Sequence, residues 1–227
     1  MNTCDRRQLR EYIPKLQLLN YQSLNTNLSL PDTRVDLEAK MDANFQFLAN
    51  TARQLGNILM FSDKINNIYQ DWQDLKLRRS QWSLENYDFV YQRLATEVDR
   101  LSARVGDTCN LIPDPDLDTY YLINATLRQL PEMEKLWSKI RRISQKISLR
   151  SDATPEERAQ LITLSSRLKE INNDLEINME VAFSNNHQGN LRSALTEDLI
   201  KFNSLVKQVT KQLDKTIYQT VSLKYYT

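Results

Sequence analysis

Apolar side chains recur every three or four residues along nearly the whole chain, and that spacing limits the fold more than any other feature of the sequence. It is clearest in Leu161, Leu164, Leu168, Ile171, Leu175 and Met179, and again in Leu195, Leu199, Phe202, Leu205, Val209 and Leu213. Residues at these intervals share one face of a helix, so each run predicts a helix that buries a stripe against its neighbours. With only 3 Gly and 6 Pro in 227 residues, the chain lacks the turn formers of a sandwich or barrel, while Leu, Gln, Asn, Lys, Arg and Glu abound. The predicted fold class is all-α: an elongated antiparallel bundle of about six helices, best read as two stacked four-helix modules.

Six segments carry the pattern. The first runs from Arg6 to about Leu28, with Pro14 as an expected kink, and Leu30-Pro31-Asp32 breaks the chain after it. A second spans Val35 to about Arg79 through Met41, Phe45, Leu48, Leu55, Leu59, Ile65, Ile68 and Trp72. At ~1.5 Å per residue that helix would be on the order of 65 Å long, which is the reason for expecting an elongated molecule. A third follows Ser83 and ends near Gly106, and a fourth runs from about Asp116 to Leu149. Thr154-Pro155-Glu156-Glu157 opens the fifth with a capping hydroxyl, a proline at the first helical position and two carboxylates where the helix dipole favours them. That helix fades at Asn185-Asn186-His187-Gln188-Gly189, and the sixth continues from Leu191 to about Tyr218.

Charge and motif content narrow the function. The 30 basic and 29 acidic side chains leave a net charge of +1, so no overall field draws the chain to nucleic acid. Basic runs such as Lys76-Leu77-Arg78-Arg79 and Arg141-Arg142 read as solvated helix faces. Cys4 and Cys109 form no ligand cluster and are expected to be free thiols, and the single histidine, His187, sits in a polar loop. No nucleophile elbow, Gly-rich phosphate loop or metal-binding pattern occurs, so neither catalysis, a metal nor a cofactor is predicted. No run approaches the ~20 apolar residues of a membrane span, which leaves a complete cytosolic protein or a soluble segment of a longer membrane protein.

One stretch departs from plain amphipathic helix. Asn110-Leu111-Ile112-Pro113-Asp114-Pro115-Asp116-Leu117-Asp118-Thr119-Tyr120-Tyr121 joins a proline-stiffened acidic turn to the fourth helix, which runs on through Pro131. Wound at about 100° per residue, Tyr121, Asn124 and Arg128 fall within roughly 60°, with Tyr120, Ile123, Leu127 and Leu130 in the adjoining arc. The apolar residues after Pro131 point roughly 120° away, so the helix is expected to change its buried face there, at a joint between two modules. Arg128 offers a bidentate fork for a carboxylate, with Tyr121 and Asn124 to orient the rest of a small ligand and Trp72 and Trp82 as candidate pocket walls. The plainer alternative is that Asp114, Asp116 and Asp118 cap the helix, Arg128 pairs with an acid on a neighbouring helix, and the tryptophans are core.

The run Leu111-Ile112-Pro113-Asp114-Pro115-Asp116-Leu117-Asp118-Thr119-Tyr120-Tyr121-Leu122, followed by Leu127-Arg128-Gln129-Leu130-Pro131-Glu132-Met133, resembles a segment of the large helical extracytoplasmic sensor regions of bacterial chemoreceptors and sensor histidine kinases. Pro113, Asp114, Asp116, Asp118, Tyr120 and Pro131 carry the likeness. The layout is also similar to helical bimodular sensor domains, which stack two four-helix modules and bind small carboxylates or amines. Two departures stand out: Tyr21-Gln22-Ser23-Leu24-Asn25 replaces a His-Arg-Gly-Leu-Ser pattern, and Asn124 stands where the family often has Asp. The resemblance implies one non-enzymatic sensor domain over residues 1–227, periplasmic, flanked by membrane spans and homodimeric. It further implies a small organic acid, amino acid or amine as ligand, and a parent protein that carries a histidine kinase or chemotaxis output. A soluble helical scaffold that binds protein partners is the alternative reading.

Overall fold

A computed structural model describes residues 6–26, 31–54, 62–78, 81, 84–108, 116–150 and 152–222, and the chain is all-α over them. It divides into two compact units, residues 1–112 and 113–227.

The first unit is a four-helix bundle of α1 (Arg6–Thr26), α2 (Pro31–Gln54), α3 (Ser62–Arg78) and α4 (Leu84–Thr108). α1 packs on α2 and α4, and α3 packs on the same two, so the four helices close a ring around one core. Each contributes a stripe at helical spacing: Tyr12, Leu16 and Leu19; Met41, Phe45 and Leu48; Ile65, Ile68, Trp72 and Leu75; Tyr91, Leu94, Val98 and Leu101. Ion pairs Lys64–Glu97 (2.9 Å) and Arg93–Asp71 (3.9 Å) show that α3 and α4 run antiparallel.

The long helix expected from Val35 to Arg79 is instead two helices, α2 ending at Gln54 and α3 starting at Ser62, packed against each other. The apolar period carries through the break because the same stripe faces the same core on both sides. Gly56-Asn57 and Ser62-Asp63 were the turn and capping signals that the period masked.

The second unit contains three helical rods among the described residues. The first is continuous: α5 (Leu117–Asn124), a π-helical turn (Ala125–Gln129) and α6 (Leu130–Arg150). It is followed by α7 (Pro155–Asn185) and α8 (Asn190–Ser222). All three parts of the first rod lie along α7, and α8 packs on α7 as well. Asp118 meets Asn186, Glu132 meets Arg167, and Arg150 meets Glu157, so the first rod and α7 are antiparallel. Glu180 with Arg192 and Lys169 with Asp214 give the same sense for α7 and α8. Pro131, the expected joint, is a buried residue inside this unit, and the rod does not change partner there. The residues that turn inward are Tyr121, Leu122, Ala125, Met133, Leu136 and Ile140, while Tyr120 and Leu130 are exposed.

The predicted start of α7 is realised in full. Thr154 Oγ1 accepts from the Glu157 backbone N–H at 3.2 Å and the Glu157 carboxylate accepts from the Thr154 N–H at 3.0 Å, a reciprocal cap. At the other end Gly189 adopts φ +67°, the left-handed conformation that lets the chain turn within four residues into α8.

Candidate functional site

The acidic and tyrosine-rich stretch opens α5. Asp116 occupies the N-cap position in an extended conformation, its carbonyl accepting from Tyr120 N–H at 2.9 Å, without a capping bond from its side chain. Asp118 does more. Its Oδ1 accepts from the Thr119 N–H at 2.7 Å, and its Oδ2 accepts from Asn186 Nδ2 at 2.9 Å. Asn186 Oδ1 in turn accepts from the Leu191 N–H at 3.2 Å, an otherwise unpaired donor in the first turn of α8. One carboxylate and one amide thus tie the start of α5 to the α7–α8 turn. The Asn186 hydrogen bond is the main cause that lowers the Asp118 pKa, with the Thr119 backbone and the His187 charge acting in the same direction.

Tyr120 and Tyr121 meet edge to face, ring centroids 5.1 Å apart, and Tyr121 packs against the core of the unit. Asn124 is half-buried, and among the described residues its side chain makes no hydrogen bond. Arg128 is exposed on the π turn and has no ion pair among the described residues. The turn has a local cause. Pro131 has no N–H to offer the carbonyl of Leu127, and its ring crowds that carbonyl in an ordinary α-helix. Widening the preceding turn relieves the crowding: the Leu130 N–H reaches back five residues to Ala125 O, and Thr126 Oγ1 donates to Leu122 O at 2.7 Å. The sequence marked Pro131 as a joint; the structure places a π turn just before it.

Tyr121, Asn124 and Arg128 therefore sit on one rod of the second unit. Trp72 is in the interior of the first unit, 0% exposed, with Nε1 donating to Asp42 Oδ1 at 2.8 Å and the Tyr91 ring edge-on at 6.0 Å. It offers no free face to a ligand and is a core residue. Trp82, Pro113, Asp114, Cys4 and Cys109 lie outside the described residues. His187 is exposed, as its polar loop implied.

A groove of about 530 Å3 lies elsewhere, between α7 and α8, lined by Glu176, Glu180, Phe183, Thr196, Leu199, Ile200, Asn203, Ser204 and Lys207. Neither Tyr121, Asn124, Arg128 nor Trp72 lines it.

Comparison with protein-family models, with curated proteins and with solved structures gave no match to this chain. Among the described residues no helix is long and apolar enough to cross a membrane.

Proposed function

We propose that this chain is the extracytoplasmic ligand-sensing input domain of a bacterial transmembrane signalling receptor, a sensor histidine kinase or a methyl-accepting chemotaxis protein. The observation that carries the reading is the resemblance of the Leu111–Met133 stretch, from its acidic turn through the Tyr-Tyr pair to the Arg-Gln-Leu-Pro-Glu run. Long antiparallel helices suit such a role, because small rigid-body shifts of packed helices transmit a binding event along their length. A π turn at a proline on one of those helices is a natural place for such a shift to start, since its backbone hydrogen bonds are already irregular. In this reading the domain is periplasmic, is joined to membrane spans on both sides, and works as a homodimer.

Two measurements test it. The parent gene should encode apolar spans on either side of residues 1–227, and their absence refutes the reading. A thermal-shift screen of organic acids, amino acids and amines should find a stabilising ligand, which at 100 times its Kd adds ~2.7 kcal/mol. If Arg128→Ala leaves that stabilisation unchanged, Tyr121, Asn124 and Arg128 are not the ligand site. A helical scaffold would show neither flanking spans nor stabilisation by small molecules.

A further inference from the structure

The end of the second unit where α6 turns into α7 is basic and carries an apolar tip. From Lys135 to Arg150, α6 has six Lys and Arg residues and no Asp or Glu. Wound at about 100° per residue, Lys135, Lys139, Arg142, Lys146 and Arg150 fall within roughly 80°, outside the arc of the buried Met133, Leu136 and Ile140. Lys139, Lys146 and Arg150 are exposed. Leu149, in the last turn, is 83% exposed, the most exposed large apolar side chain among the described residues. The same winding puts it within about 60° of Arg142 and Lys146, at the end of the basic stripe.

The acids at this end do not cancel the stripe. Glu157 is held by Arg150 and Asp152 by Arg158, one cation each. Lys139 makes no ion pair among the described residues, and Lys146 only adds to the field at Glu157. α8 reaches the same end: Ser165 of α7 donates to Asp214 at 3.4 Å and Lys169 pairs with the same carboxylate, so the last turns of α8 lie beside the first turns of α7. There α8 adds the exposed Lys211 and Lys215.

We propose that this end of the second unit docks on an anionic phospholipid bilayer, with the cations of α6 on the headgroups and Leu149 in the interface. A wholly polar polyanion such as nucleic acid would attract the cations and leave Leu149 in water, whereas a bilayer surface accommodates both. The proposal stands on charge and exposure. The sensor reading adds the geometry, because a chain that left α8 for a membrane span would hold this tip at the bilayer, where tethering makes a weak contact effective.

The test is flotation of the full chain with vesicles of equimolar phosphatidylglycerol and phosphatidylcholine, against vesicles of phosphatidylcholine alone. The chain should float with the anionic vesicles only, and raising the salt should release it. Lys139→Gln and Lys146→Gln should each weaken binding about fivefold, the loss expected for one cation at an anionic surface. Leu149→Ser should weaken it severalfold without changing the salt dependence. Lys201→Gln, on the opposite half of α8, should leave it unchanged. All four are exposed positions, and an unchanged urea midpoint separates a lost contact from a damaged fold. Equal binding to the two kinds of vesicle, no binding at millimolar lipid, binding unmoved by the Lys139→Gln/Lys146→Gln pair, or tighter binding to DNA than to the anionic vesicles overturns the proposal. Vesicle binding without flanking spans in the parent gene would refute the sensor reading alone, and spans without vesicle binding would refute the docking alone.

Discussion

Trp72→Ala is the substitution that most directly tests the packing of the first unit. The indole is 0% exposed, stacked among core residues of α2, α3 and α4, with Tyr91 edge-on at 6.0 Å. Truncating a buried tryptophan removes its transfer free energy and leaves a cavity, typically about 3–5 kcal/mol together. The polar handle adds to this. Asp42 Oδ1 accepts from Trp72 Nε1 at 2.8 Å and from Gln73 Nε2 at 3.0 Å, and the carboxylate also holds Lys76 Nζ at 2.7 Å. With the indole gone Asp42 keeps two partners, so the polar loss is small and the estimate stays at about 3–5 kcal/mol. The converse substitution separates the two contributions. Asp42→Ala leaves the ring in place and strands a buried N–H, an expected cost of about 1–3 kcal/mol, whereas Asp42→Asn retains an acceptor and should cost less. Urea unfolding followed by tryptophan fluorescence and by far-UV circular dichroism would measure all three. A Trp72→Ala loss below about 1 kcal/mol would mean that the indole is not enclosed by α2, α3 and α4, and the four-helix core described here would be wrong.

Other outcomes follow from single sites. Tyr12 is 0% exposed, its hydroxyl has no partner among the described residues, and burial raises its pKa; Tyr12→Phe should stabilise the first unit by about 1 kcal/mol, read from the urea midpoint at constant m. Thr154→Ala removes one half of the reciprocal cap on α7 and should cost about 1 kcal/mol, with Thr154→Ser close to neutral in the same assay. The folded-state pKa of Asp118 is depressed, chiefly by Asn186, so its stabilisation is present above the unfolded value of about 3.9 and is lost as pH falls through the lower folded value. Asn186→Ala should flatten the acid side of the stability profile below about pH 4, and an unchanged profile would refute the Asp118–Asn186 tie.

The π turn and the α2–α3 break show where sequence reasoning succeeds and where it stops. Pro131 within an apolar-periodic run required some local departure from the α-helix, because proline removes one backbone hydrogen bond wherever it is placed. Whether the chain answers with a kink, a break or a wider turn depends on what the helix lies against, and here α7 runs along both sides of the proline. Periodicity likewise fixed which residues face inward on α2 and α3 without saying whether the two stretches are one rod or two, since a stripe keeps its spacing through a reversal. The tie between Asp42 and Trp72 with Lys76 is what distinguishes the hairpin from the long rod. The candidate ligand residues follow the same division. Tyr121 and Asn124 lie on α5 and Arg128 on the π turn that continues it, a placement that local spacing is able to give, whereas Trp72 was joined to them on sequence neighbourhood and is a core residue of the first unit.

The sequence by itself determined the all-α class, the ends of most helices, the cap of α7 and the apolar stripes, because each depends on residues within a few positions of one another. The tertiary structure alone decided where the two units divide, that the α2–α3 stretch is two helices, and that Asp118 secures the α7–α8 turn. Those are meetings between residues far apart in the chain, and helical periodicity is blind to them because it records which way a side chain points and not what it meets.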